Sequence, residues 1–144
     1  EKAREHCAGL PNVELHAEDF FLHDMQKADF IVSYYVLQFV PPRLRQDAFD
    51  RIYERLNWGG ALVLFEKVRG PDARFQDIAN NMYTNFKRQN GLSPDEILNK
   101  TDSLKSVMEP FSTQGNIDLM KRAGFVDIMP VSKWVCFEGF LAIK

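Results

Sequence analysis

The sequence contains few cysteines and no long apolar run, and both features restrict the class of protein. Its only cysteines among 144 residues are Cys7 and Cys136, which lie far apart and lack the spacing of a zinc site or a disulfide framework. We therefore expect two reduced thiols in a cytoplasmic protein. No stretch approaches the ~20 apolar residues of a membrane helix, and the N-terminal residues do not resemble a signal peptide, so we expect no membrane association.

The sequence also lacks an excess of one charge. It has 18 basic and 20 acidic residues, a net charge of −2, and 45% hydrophobic residues. These values are ordinary for a globular domain, and they do not indicate a general nucleic-acid surface. A chain of this length is expected to form one domain with a real core. Because it opens at Glu1 with a helical pattern and no methionine, we predict that it begins inside a domain.

No G-x-G segment occurs anywhere in the chain. Gly59 and Gly60 follow a predicted helix rather than precede one, so they predict a turn and not a cofactor-binding loop. The local patterns predict, in order, a helix ending at Gly9, strands at 13–17 and 28–34, a helix from 41 to 56 and a strand at 61–65. Helices at 75–90, 93–108 and 116–123 follow, and then strands at 125–131 and 134–143 with a short connection. This order favours an α/β sheet that finishes in an antiparallel hairpin.

The apolar periodicity predicts which helix faces are buried. In the helix from 41 to 56 the inner face is Leu44, Ala48, Phe49, Ile52 and Leu56, and the arginines and aspartates lie outside. The stripe Phe75, Ile78, Met82 and Phe86 is predicted as core in the next helix. In the third helix the inner face is Ile97, Leu98, Thr101, Leu104 and Met108, and Ser93 with Glu96 forms a capping box at its start.

Several short segments in this order resemble the class I S-adenosylmethionine-dependent methyltransferases, and in particular the carboxy-S-adenosyl-L-methionine synthase family. They are Leu37-Gln38-Phe39-Val40-Pro41, Gly59-Gly60-Ala61-Leu62-Val63-Leu64, Phe86-Lys87-Arg88-Gln89-Asn90-Gly91 and Ala123-Gly124-Phe125. The resemblance implies S-adenosyl-L-methionine as cofactor and a partial Rossmann-like sheet with helices on both faces. It also implies that residues 1–144 are the C-terminal part of a single methyltransferase domain, with a helical insertion at 74–110. The Gly-rich cofactor turn would lie in the part that precedes Glu1.

The same resemblance implies four cofactor-binding residues. Asp19 would accept a hydrogen bond from the adenine amino group, and Phe20 would offer its backbone N–H and its ring. Ser33 and Tyr34 end a strand, where ligands of open α/β sheets bind, and Tyr34 replaces an asparagine that is usual in the family. The residues alone also permit other roles: Asp19 as a turn cap, Phe20 as core, and Tyr34 as an ordinary strand aromatic.

Thr101 occupies a position where the synthases carry an arginine that pairs with the extra carboxylate of carboxy-S-adenosylmethionine. Threonine does not replace that charge, and Lys100 lies off the apolar stripe. We therefore predict a methyltransferase that uses ordinary S-adenosylmethionine to methylate a small molecule or an RNA. No catalytic residue is identified. No metal site is predicted, because His6, His16 and His23 lack metal-ligand spacing.

Two alternative functions remain open. The first alternative to the methyltransferase is a truncated, non-catalytic interaction or dimerisation module. The second is a Rossmann-like enzyme that uses a dinucleotide, which the C-terminal hairpin disfavours. The helical insertion is also a candidate homodimer surface. In the family the two missing strands separate residues 13–17 from residues 28–34, so we expect an unpaired strand edge that another segment or chain covers.

Overall fold

The computed structural model describes all of residues 1–144, and its strands form one four-stranded sheet. The helices are α1 (Lys2–His6), α2 (Pro42–Arg55), α3 (Ala73–Gln89), α4 (Pro94–Ser103) and α5 (Thr113–Ala123), with a 3₁₀ helix at Leu37–Phe39. The strands are β1 (Ala28–Tyr34), β2 (Leu56–Lys67), β3 (Asp127–Trp134) and β4 (Phe137–Ile143). Their order across the sheet is β1-β2-β4-β3.

Strands β1 and β2 are parallel, and α2 is the crossover between them. Their register pairs Ser33 with Leu64 and Tyr34 with Phe65, so both strands end at the same edge of the sheet. Strand β4 is antiparallel to β2 and to β3, which confirms the predicted hairpin. Strand β2 is longer than predicted, because it begins at Leu56 directly after α2 and includes the segment in which a turn was expected.

The core lies between the sheet and helices α2 and α5. Ala48, Phe49 and Ile52 of α2 are at most 1% exposed, so the predicted inner face is confirmed. The expectation that every arginine of α2 lies outside is wrong for Arg45, which is 1% exposed. Its two terminal guanidinium nitrogens donate hydrogen bonds to the carbonyls of Glu109 (2.8 Å), Val40 (2.7 Å) and Gln38 (3.3 Å), which reduces the cost of burying them, whereas its Nε has no partner.

The strand predicted at residues 13–17 does not form, and these residues are exposed and irregular. Their alternating pattern suits a strand, but a strand requires a neighbour for its backbone groups. Strand β1 is an edge of the sheet with no further strand beside it. The local pattern therefore has no pairing partner, and residues 13–17 stay irregular.

The helical segment after β2 is less buried than predicted. Phe75, Ile78, Met82 and Phe86 are 43–53% exposed rather than core, because this stripe lines cavities at the end of the sheet instead of packing closely on the strands. Helix α4 has the predicted Ser93–Glu96 capping box but ends at Ser103. The remaining segments, α5 and its end at Gly124, follow the prediction closely. None of the helices combines the length and the apolar character that a membrane span requires.

Candidate active site

A large cavity lies where β1 and β2 end and where α3 and α4 pack over them. Its volume is about 820 Å³, within the size range of sites for small organic ligands. Gln38 and Phe39 follow β1, Lys67 ends β2, and Phe137 begins β4. Because the carboxyl ends of parallel strands are the usual ligand-binding edge of an α/β sheet, this cavity is the strongest candidate for a substrate site.

The wall of this cavity is cationic. Five basic side chains line it, and no acidic side chain does; they are Lys67, Arg69, Lys87, Lys100 and Lys105. The rest of the wall is aromatic, aliphatic or uncharged polar. A concave surface that is lined by positive charges and has low-dielectric walls concentrates anions. The cavity is therefore suited to an anionic small molecule.

Two of these cations lie near the Tyr83 ring. The Lys87 ammonium lies 4.3 Å from the centre of the Tyr83 ring, and that of Lys67 lies 5.5 Å from it. Desolvation and the nearby Lys67 charge lower the pKa of Lys87. Burial raises the pKa of the Tyr83 phenol, so it keeps its proton and remains a hydrogen-bond donor. An anionic ligand that compensates both lysine charges would be stabilised at this position.

A buried carboxyl group lies behind the cavity wall. Glu66 is 3% exposed, and burial raises its pKa to about 8, against the opposing effects of Arg45 and of the backbone N–H groups of Leu37 and Gln38. The side chain of Gln38 accepts a hydrogen bond from the Lys67 backbone N–H at 2.8 Å. Glu66 thus connects the end of β2 to the turn after β1 and fixes the part of the cavity wall that both strands supply.

The structure separates two of the predicted cofactor residues across the sheet. Ser33 is 7% exposed and faces the core side, where its hydroxyl has no hydrogen-bond partner in the chain. Tyr34 is 65% exposed on the opposite face, where its ring lies 4.6 Å from Tyr35 and 5.4 Å from Phe65. An orphaned hydroxyl at the ligand-binding end of a strand is compatible with a polar contact to a cofactor. Both residues remain predicted cofactor contacts.

The other two predicted cofactor residues lie in a turn beside α2. One oxygen of Asp19 accepts a hydrogen bond from the Phe21 backbone N–H at 2.7 Å, as in a turn cap. The Phe20 ring packs on the core, and the Arg51 guanidinium lies 5.9 Å from its centre. The backbone N–H of Phe20 makes no hydrogen bond within the chain. The residues thus have the structural roles considered above, and they retain the groups that the cofactor prediction requires.

Thr101 is not a core residue, which corrects the sequence prediction. It is exposed, its hydroxyl donates to the Ile97 carbonyl at 2.8 Å, and it lines the cationic cavity. Lys100 lines the same cavity, although the apolar periodicity places it off the inner stripe. The periodicity was misleading because α4 packs on its neighbours over one turn only, around Ile97. A cation is therefore present next to the threonine.

One cluster of potential ligands was missed by reasoning from linear spacing. The turn around Asp19 brings His16, Glu18 and His23 together, and the ring centroids of the histidines are 4.6 Å apart. The two histidines are seven residues apart, which matches no common metal motif. The acidic, turn-forming residues between them were the only signal in the sequence.

Comparison with known proteins provides independent information on the family. No protein-family model matches the chain. It is 35% identical over 137 residues to the carboxy-S-adenosyl-L-methionine synthase of Staphylococcus epidermidis, covering 95% of this chain and 60% of that protein. It is 37% identical over 118 residues to the synthase of Campylobacter lari, covering 82% and 50%. The chain thus spans about half to three fifths of the length of these curated relatives.

Similarity to a solved structure identifies the fold. The crystal structure of human N-acetylserotonin methyltransferase in complex with SAM matches with a TM-score of 0.59 and 21% identity, over 88% of this chain and 32% of that one. The predicted partial Rossmann-like methyltransferase sheet with a C-terminal antiparallel hairpin is confirmed. Of the helices expected on both faces, α2 and α5 cover one face, and Phe30, Val32 and Tyr34 on the other face are exposed. The chain therefore has a partial class I S-adenosylmethionine-dependent methyltransferase fold, and in sequence it is similar over most of its length to the carboxy-S-adenosyl-L-methionine synthases.

Proposed function

We propose that this chain is part of an S-adenosylmethionine-dependent methyltransferase whose acceptor is a small anionic molecule. The observation that supports the acceptor class is the cationic cavity at the carboxyl ends of β1 and β2. S-adenosylmethionine, when bound, supplies an activated methyl group on a sulfonium sulfur. The residues of this chain would bind and orient the acceptor, and positioning alone accounts for much of the rate in such transfers.

The dimensions of the cavity favour a small molecule over an RNA. The cavity of about 820 Å³ is bordered by α3, α4 and the strand ends. An RNA acceptor requires an open basic track that follows the backbone. The cations here converge on one concave site instead. A carboxylate or phosphate held by Lys87 and Lys100, with Tyr83 as a donor, is the contact that we propose.

Carboxy-S-adenosyl-L-methionine synthesis is the second candidate. The names of the two relatives favour it, and Lys100 supplies a charge beside Thr101 in the cavity. Against it stands the absence of a planar guanidinium at position 101, because lysine does not reproduce bidentate carboxylate binding. We retain ordinary S-adenosylmethionine as the proposed cofactor, with Asp19, Phe20, Ser33 and Tyr34 as its proposed contacts.

Isothermal titration of the purified chain with S-adenosylmethionine and, in parallel, with carboxy-S-adenosylmethionine tests both candidates. Binding of the former alone supports the first candidate, and tighter binding of the latter supports the second. The absence of binding for both would instead support the non-catalytic interaction or dimerisation module. We propose a homodimer for the assembled protein, with the exposed stripe of α3 as one candidate surface.

Substitutions test the cavity directly. Lys87→Gln and Lys100→Gln should each weaken binding of a carboxylated ligand by about tenfold, because a charge-assisted hydrogen bond contributes roughly 1.5 kcal/mol or more. The matched control is Lys121→Gln, which removes an exposed lysine of α5 that lies outside the cavity. Equal affinities for all three variants would contradict an anionic ligand in this cavity.

A further inference from the structure

His16, Glu18 and His23 form a compact cluster on the surface beside α2. The Nδ1 atom of His23 lies 2.9 Å from Glu18 Oε2, and Nδ1 of His16 lies 3.9 Å from Glu18 Oε1. One ligand atom from each of the three residues lies within 4.8 Å of the other two. The side chains are 27–55% exposed, so an ion and its water can reach them.

The backbone of the turn holds the cluster in place. The Asp19 carbonyl accepts hydrogen bonds from the N–H groups of Leu22 (3.1 Å) and His23 (2.9 Å). Arg51 of α2 donates to the His23 carbonyl, which anchors the turn to a buried helix. The chain therefore reverses between the two histidines, and backbone hydrogen bonds of the turn help to bring their rings together.

The atoms present are those that a divalent transition metal prefers. Zinc binds imidazole nitrogens and carboxylate oxygens at about 2.0–2.1 Å in a tetrahedral arrangement, which places the ligand atoms about 3.4 Å apart. The observed separations are 2.9 Å to one Glu18 oxygen and 3.9 Å to the other, and the three ligand atoms lie within 4.8 Å of one another, so the side chains must move closer together around an ion. Glu14 Oε2 lies 3.5 Å from Nε2 of His16, the ring nitrogen that does not face Glu18, so it is placed to orient the imidazole while Nδ1 binds an ion.

We propose that His16, Glu18 and His23 bind one divalent transition-metal ion, zinc in the first instance, with water as the fourth ligand. The ion would link two ends of a segment that has no strand partner in the sheet. It would thereby order the turn that carries Asp19 and Phe20. This proposal does not depend on the proposed function, because the cluster shares no residue with the cationic cavity.

Calorimetric titration of the EDTA-treated chain with zinc chloride, in a buffer that does not chelate metals, is the direct test. We expect one ion per chain. Loss of a second-shell partner alone costs about 10–100-fold in metal affinity, so His16→Gln and His23→Gln should each weaken binding by at least about tenfold. Cobalt(II) provides a second readout, since tetrahedral nitrogen and oxygen ligands give visible absorption that these variants should lose.

The matched controls are His6→Gln, which removes the remaining histidine on α1, and Cys7→Ser, which removes the adjacent thiol. Both should bind zinc as the wild type does. Circular dichroism confirms that each variant is folded, which is expected because all the substituted ligands are partly exposed. Unchanged zinc affinity in His16→Gln and His23→Gln, or loss of binding in either control, would overturn the proposal.

Discussion

Glu66 shows how burial of a single side chain sets the properties of the candidate site. Its carboxyl group is almost inaccessible to solvent, and one of its oxygens has no hydrogen-bond partner in the chain. Arg45 is buried nearby, and burial lowers the pKa of its guanidinium. The pair sits behind the cavity wall and not within it, so we expect Glu66 to affect stability and the position of the strand ends rather than to contact a ligand.

Replacement of Glu66 by glutamine should remove a pH dependence of stability. The folded protein holds a proton on Glu66 up to pH about 8, whereas the unfolded chain releases it near its ordinary value of 4.5. The stabilisation from this protonated group is therefore complete below pH 4.5 and is lost as the pH rises through 8. Between these limits the wild type should lose roughly 4 kcal/mol of unfolding free energy relative to Glu66→Gln.

Urea unfolding at several pH values between 4.5 and 8.5 measures this difference. Glu54→Gln is the control, because it removes an exposed carboxyl group of α2 and should follow the wild-type curve. Parallel curves for the wild type and Glu66→Gln over the whole range would contradict the prediction. If the unfolding free energy falls more steeply with pH in the wild type than in Glu66→Gln, the buried carboxyl group is confirmed as the cause of the pH dependence.

At the scale of elements, the end of α5 depends on a glycine in two ways. Gly124 has φ +116°, which side-chain-bearing residues rarely adopt, and an added Cβ would lie 2.8 Å from Tyr53 Cζ. Gly91, at the end of α3, has φ +89° but no atom within 4 Å of an added Cβ. A substitution at Gly91 therefore tests backbone strain alone, and one at Gly124 tests backbone strain together with steric overlap.

We expect Gly91→Ala to cost about 1 kcal/mol, from the left-handed backbone conformation alone. Gly124→Ala should cost about 3 kcal/mol, because the Tyr53 ring must also move away from its contact with Phe125 at 4.9 Å. Thermal and urea unfolding of both variants gives the comparison. Equal losses of unfolding free energy in the two variants would show that the Tyr53 ring can accommodate an added methyl group at position 124.

At the scale of the whole molecule, the open edge at β1 is an exposed apolar feature. Phe30, Val32 and Tyr34 are 53–65% exposed on one face of this edge strand. An unprotected edge strand with apolar side chains is a template for association. Class I folds carry helices on both faces of the sheet, and here α2 and α5 cover only one. This edge is therefore where we expect a further segment or a second chain to bind.

The expected consequence is self-association that Val32→Lys reduces. Light scattering coupled to size-exclusion chromatography should show a mass that increases with concentration for the wild type and stays near the monomer mass for the variant. Leu22→Lys changes an exposed apolar residue outside the sheet and should behave as the wild type. If Met82→Lys alone lowers the mass, the association surface is the stripe of α3 rather than the edge.

The sequence was a good guide wherever local signals and tertiary contacts agreed. The inner face of α2, the capping box of α4, the stop of α5 at Gly124 and the hairpin β3–β4 all follow from periodicity, caps and connection length. It was a poor guide for residues 13–17 and for Thr101. In both cases the prediction required a neighbour that the fold does not supply. Residues 13–17 needed an adjacent strand, and Thr101 needed an element packed on its face of the helix.

By itself, the sequence determined the α/β class, the order of the elements from β1 onwards and the resemblance to methyltransferases, because these depend on short-range periodicity and on motifs in a fixed order. Only the tertiary structure decided which charged residues meet. Lys67 and Lys87 converge on Tyr83, Arg45 becomes buried near Glu66, and two distant histidines approach across a turn. Those encounters depend on how strands and helices pack, and no spacing along the chain specifies them.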